Sequence, residues 1–134
     1  MALGIIRNLG GGGGGDNRKF PYDVPISPTA ASTPQSTVNW GMRSYELSPK
    51  ITDDCYLEVQ MASNGASSDY RFQYSEDGQS WSQVGAEYYR NQNIHETISL
   101  ASLKGKRVFF RIGVSNSYYN NVYFQVQTFV MKTI

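Results

Sequence analysis

From residue 37 onward the apolar positions recur at every second residue, not with the period of a helix. Cys55, Leu57, Val59 and Met61 alternate with Tyr56, Glu58 and Gln60, and Val108, Phe110, Ile112 and Val114 alternate with Phe109, Arg111 and Gly113. A third run sets Val122, Phe124, Val126, Thr128 and Val130 against Tyr123, Gln125, Gln127, Phe129 and Met131. Successive side chains of a strand point to opposite faces, so each run predicts a strand with one face buried. Shorter candidates are Val38–Leu47, Tyr70–Ser75, Ser80–Val84 and Ile94–Leu100, which brings the expected strands to seven. No stretch carries a helical stripe. Short strands at regular spacing, with turn residues between them, predict an all-β fold: an antiparallel β-sandwich or jelly roll over residues 37–134.

Residues 1–36 read differently. They hold seven of the thirteen Gly and four of the five Pro, whereas both Trp and nine of the ten Tyr follow them. Leu3, Ile5, Ile6 and Leu9 form a short apolar patch, Gly10 to Gly15 is an unbroken run, and the stretch from 20 to 36 is punctuated by Pro21, Pro25, Pro28 and Pro34. Glycine loses more backbone freedom on ordering than any other residue, and proline lacks the N–H that a sheet needs. The expectation is an extended Gly/Pro-rich arm whose proline stretch is unpaired. Residues 1–20 would be an assembly anchor on a neighbouring chain, through Leu3, Ile5, Ile6 and Leu9 with Arg18 and Lys19 against an acidic surface.

The strongest turn signal lies between Tyr70 and Trp81, where Asp77-Gly78 is flanked by alternating residues and is expected to close a tight hairpin. The stretch from Tyr70 to Val84 resembles the hairpin of discoidin-type, galactose-binding-like β-sandwiches. Gly105 to Ile112 is similar to a late strand of the same group. The resemblance covers two short stretches, supports a sandwich, and implies carbohydrate binding as one use of it.

If successive strands reverse direction, the connections around 63–69, 85–93 and 115–121 emerge at one end, which the arm also enters. They are rich in Tyr, Ser, Asn and Gly, the residues of adaptable recognition loops. Tyr88, Tyr89, Arg90, Tyr118, Tyr119 and Asn120 are therefore the candidate contact patch for a partner subunit or a glycan. The competing reading has some of these tyrosines merely capping the core with their hydroxyls in water.

Composition then removes function classes. Lys+Arg (12) nearly balances Asp+Glu (11), a formal charge of +1, which argues against a nucleic-acid binder. No run is long enough for a membrane span. One Cys and one His exclude an intramolecular disulfide and the usual zinc sites, and no metal or cofactor is expected. His95 would have to serve any nucleophilic triad, and Glu76-Asp77 and Asp53-Asp54 are adjacent carboxylates, not pairs facing across a cleft. The glycine run lacks the Lys-Ser/Thr of a phosphate loop. An enzyme is not expected, so the catalytic residues are read as none.

Charge is also sorted along the chain: residues 46–96 carry nine acidic groups and three basic ones, and residues 97–134 carry five basic and no acidic groups. Opposed faces would suit self-association as a homo-oligomer. With an amino terminus that lacks the pattern of a secretory signal, the expected setting is a bacteriophage virion: a structural protein made in the host cytoplasm, a capsid decoration or tail fibre part that contacts neighbouring subunits. The alternative is a carbohydrate-binding module or receptor-binding domain that uses the Tyr/Asn loops on a cell-surface glycan.

Overall fold

The alternating runs become strands, and in the computed structural model, which describes residues 18–134, they form two antiparallel sheets. In chain order the strands are β1 (Tyr22–Asp23), β2 (Ile26–Ser27), β3 (Ala30–Pro34), β4 (Asn39–Ser44), β5 (Cys55–Ser63), β6 (Ser68–Ser75), β7 (Ser82–Tyr88), β8 (Asn93–Ser99), β9 (Phe109–Asn116) and β10 (Asn121–Thr133). The first sheet runs β1-β10-β5-β8, with β3 also paired to β10, and the second runs β2-β4-β9-β6-β7. All seven expected strands are present, as β4 to β10.

The core lies between the sheets. Leu57, Val59 and Met61 of β5 face Phe72 of β6 and Phe110 and Ile112 of β9, all fully buried. Aromatic rings link the layers: Tyr70 meets Phe124 edge-on at 5.6 Å, and Phe129 lies 5.7 Å from Phe110 and 6.1 Å from Phe72. Tyr70 buries its ring but donates its hydroxyl to Gln92 O at 2.9 Å, so its polar atom is not stranded.

Three expectations need correction. In β10 the alternation breaks: Val122 and Phe124 face the core, but beyond Val126 the buried residues are Phe129 and Met131, not Thr128 and Val130. The register against β5 shifts between Val126 and Thr128, and the extra residue of a bulge reverses which parity faces inward. The Asp77-Gly78 turn is also longer than a tight hairpin, because β6 ends at Ser75 and β7 begins at Ser82. Ser75 Oγ accepts from Asp77 N and Gly78 N, and Asp77 Oδ1 accepts from Gln79 N and Ser80 N, so side chains replace the missing ladder bonds.

The proline stretch, third, is not unpaired. It pairs with both sheets: β1 lies against Val130 and Met131, β2 against β4, and β3 against Asn121 to Gln125 of β10. Val24, Ile26 and Thr33 are buried, so the sandwich takes in residues well ahead of 37. Each proline of this stretch sits in a linker or at the end of a short edge strand, where a missing N–H costs little. Arg18, expected on a neighbouring chain, is held within its own: it donates to Glu46 Oε1 at 3.1 Å, Leu47 O at 2.7 Å and Ser48 O at 3.1 Å. Lys19 is exposed. Leu3, Ile5, Ile6 and Leu9 lie outside the described residues.

Part of the charge sorting is used up inside the fold. Antiparallel neighbours and loops bring the acidic middle against the basic end, giving Lys132–Glu58, Lys106–Glu76 and Lys104–Asp53 pairs at 2.5, 3.0 and 3.5 Å.

Candidate functional site

The strand pairing brings three connections to one end of the sandwich, as strand parity predicts. Ser68 of β6 pairs with Asn116 of β9, Ala62 of β5 with Asn93 of β8, and Phe124 of β10 with Ser63, so the loops 64–67, 89–92 and 117–120 are neighbours. The segment after β3 joins them through a bridge between Gln35 and Asn116. The junction of the arm with residue 37 therefore lies at this end, as expected, with Ser36 N donating to Asn116 O at 2.8 Å, whereas Arg18 lies at the opposite end with Leu47 and Ser48.

These loops are held by their own polar side chains. Buried Asn116 donates to Thr33 O at 3.0 Å and accepts at Oδ1 from Tyr118 N and Tyr119 N at 3.1 and 2.8 Å, which fixes the third loop. Asp69 Oδ1 accepts from Arg90 N at 2.9 Å, where Arg90 takes the left-handed φ of 57°. In the first loop Ser68 Oγ donates to Gly65 O at 2.6 Å. Loops built this way present side chains without first having to order them.

The expected contact residues divide. Tyr118, Tyr119 and Tyr89 are exposed, at 70, 48 and 59%. Tyr119 lies over Gly65, where a Cβ would come within 3.1 Å of its ring, so the first and third loops meet. Arg90 and Asn120 are exposed beside them. Tyr89 bonds to Glu87 on β7, which turns it toward the second sheet. Tyr88 is a core residue at its edge: half-buried, with its ring 6.1 Å from Phe72.

An open groove of about 460 Å³ is lined by Ala30, Ala62, Ser63, Asn64, Tyr123 and Gln125, and Asn64 precedes the Gly65 over which Tyr119 lies. Tyr123 is 62% exposed and its N–H donates to Asn64 Oδ1 at 3.0 Å. The sequence pattern does not single out Tyr123 and Gln125, because they are simply the outward members of an alternating strand. The signal is their position beside the Ser63-Asn64 loop. Small side chains on the floor, an aromatic wall and amide groups within reach are the composition of a site for a hydroxyl-rich ligand.

A second surface is not foreseen in the sequence. Both tryptophans stand on the outer face of the second sheet, and the Arg111 guanidinium lies 4.5 Å from each ring centroid. Arg43 lies 5.1 Å over Trp81, and Arg111 Nε donates to Gln73 Oε1 at 2.8 Å. No sequence spacing announces this stack, because it is assembled across β4, β9 and the β6–β7 loop.

His95 lies on the outer face of the first sheet, where it bonds through Nε2 to Glu58 Oε2 at 2.6 Å. Hydrogen bonds from Lys132 and then His95 hold the Glu58 carboxyl below its usual range. Among the described residues no group of three or more His, Cys, Asp or Glu could hold a metal ion, and no helix is long and apolar enough to cross a membrane.

No family model matches the chain, and no curated protein matches it. Among solved structures it is similar to the glycoside hydrolase domain of Endo-D from Streptococcus pneumoniae R6, with a TM-score of 0.52 and 15% identity. The match covers 77% of this chain but 17% of that one, so the chain spans a small part of that protein. At that identity the likeness is one of fold.

Proposed function

We propose that the chain is a non-catalytic recognition domain, displayed from its amino-terminal side on a bacteriophage particle, whose loop end contacts a cell-surface glycan. The observation that carries the reading is the exposure of Tyr118, Tyr119 and Tyr123 along one fixed surface that ends in the groove beside Asn64. Aromatic faces stack on the CH faces of sugars, and the amides of Asn64 and Gln125 offer both donors and acceptors to hydroxyls. Arg18, the first described residue, sits at the far end from the surface that makes contact. The discoidin-type resemblance and the sandwich shared with part of a carbohydrate-active protein support the same reading. The particle setting rests on the sequence: an apolar patch ahead of six glycines suits attachment to a larger assembly.

A glycan array tests the proposal. Full-length chain should bind a defined set of oligosaccharides, and a Tyr118→Ala/Tyr119→Ala variant should bind the same set over tenfold more weakly, a loss of about 1.4 kcal/mol or more. Signal that survives in the double variant would place recognition elsewhere. An array with no binding at all would leave contact with protein subunits as the use of this end and overturn the glycan reading.

A further inference from the structure

The outer face of the second sheet sets two arginines side by side. Arg43 and Arg111 are cross-strand partners on β4 and β9, and neither makes an ion pair with a carboxylate among the described residues. Like charges side by side disfavour each other. Burial, and then the charge of Arg43, push the Arg111 guanidinium below its ordinary value. The stack holds them there all the same: the indoles of Trp40 and Trp81 flank Arg111, and Gln73 fixes its Nε. Two guanidinium groups stacked on indole rings, neither ion-paired to a carboxylate among the described residues, form half of an ion-recognition site.

Beside Arg43 this face dips into a depression of about 320 Å³, lined also by Ser27, Tyr45, Asp77 and Phe109. Tyr45 is 58% exposed. Asp77 Oδ1 is taken by Gln79 N, Ser80 N and the Ser75 hydroxyl, while Oδ2 takes no hydrogen bond among the described residues and can accept one. A simple inorganic anion would gain nothing from a carboxylate at the edge of its site. A ligand with both an anionic group and hydroxyl donors would use both halves.

We propose that this face binds an acidic sugar residue, with its carboxylate on Arg43 and Arg111 and its hydroxyls on Asp77 and Tyr45. The site is distinct from the loop end and does not depend on it. A nucleic acid fits less well. The indole faces already carry guanidinium groups, which leaves little ring for a base to stack on, and a phosphate track would run into Asp77 on one side. On the other it would meet Asp69, which shares the outer face of β6 with Arg71. The basic stretch is long enough for one or two charges.

Trp40 and Trp81 are the only tryptophans, so their emission reports on this face directly. Full-length chain is titrated with oligosaccharides ending in glucuronic acid or N-acetylneuraminic acid, with the neutral parent oligosaccharides, and with a short oligothymidylate. The acidic probes should change the emission saturably and the neutral parents should not. Arg43→Gln should weaken the response at least tenfold, and Arg43→Lys should recover part of it. Tyr118→Ala/Tyr119→Ala should leave it unchanged, which separates this site from the loop-end reading. Equal binding of the neutral parents, a tighter response to the oligothymidylate, an unaltered Arg43→Gln variant, or no saturable change with either acidic probe would each overturn the proposal.

Discussion

A Cβ at position 113 would stand 2.6 Å from the indole of Trp40, so Gly113 is the seat on which that ring lies. The same Cβ would come 2.9 Å from Arg71 Cγ. Glycine is required here by close approach, not by backbone conformation. Gly113→Ala should therefore push Trp40 off the sheet, at a cost of about 1–3 kcal/mol for overpacking. Calorimetry should show a lower Tm, and tryptophan emission should shift to the red. An unchanged emission spectrum would mean that Trp40 does not rest on this position.

Gly78 is required for a different reason. Its φ of 77° lies in the left-handed region, and the Phe109 ring is 3.7 Å from where a Cβ would be. A β-branched residue there should cost at least about 1–2 kcal/mol. Gly78→Val should lower the urea midpoint accordingly, and an unchanged midpoint would show that the turn relaxes freely.

Arg18 ties the amino-terminal weave to the 45–54 connection by hydrogen bonds to Glu46, Leu47 and Ser48. Its removal strands the carbonyls it satisfies. Arg18→Ala should destabilise the fold by about 1–3 kcal/mol and raise hydrogen exchange in β1 and β2 before the rest of the sandwich. Uniform exchange across all strands would contradict a locally tied weave.

Two side chains set opposite ends of the stability profile with pH. The Asp77 carboxyl is held at about 2 by the Ser80 and Gln79 N–H groups and the Ser75 hydroxyl. An unfolded Asp titrates near ~3.9, so this contribution is complete above about pH 4 and fades as pH falls toward 2. Burial, and then the hydrogen bond to Glu46, raise the Tyr22 phenol above its ordinary value. The folded state then favours the neutral phenol. That contribution is complete below the unfolded value of ~10 and fades as pH rises beyond it. Urea midpoints measured against pH should lose part of the acid limb in Asp77→Asn and part of the alkaline limb in Tyr22→Phe. Limbs unmoved by these variants would show that other groups set them.

Much of the sandwich could be read from period-two alternation, because burial of one strand face writes itself directly into the sequence. The same rule failed in β10, where a bulge at one residue moved Phe129 and Met131 into the core. It failed again over residues 18–36, since two-residue strands such as β1 and β2 are too short to alternate. Their pairing comes from the exposed edges of β10 and β4, which only the assembled sheets create. At the loop end, strand parity placed Tyr118 and Tyr119 together, but it could not tell half-buried Tyr88 from exposed Tyr89. The Trp40–Arg111–Trp81 stack was illegible for a related reason: its members are far apart in sequence and meet only across a sheet.

The proposed recognition surface joins the loop end to the groove at Tyr123. Backbone amide NMR of the full-length chain, titrated with an oligosaccharide selected on the array, tests it most directly. The shifted resonances should cluster in residues 63–66, 117–120 and 122–125, with a smaller effect near 89–91. Shifts confined to the outer face around His95 and Glu58, or spread evenly over both sheets, would contradict it.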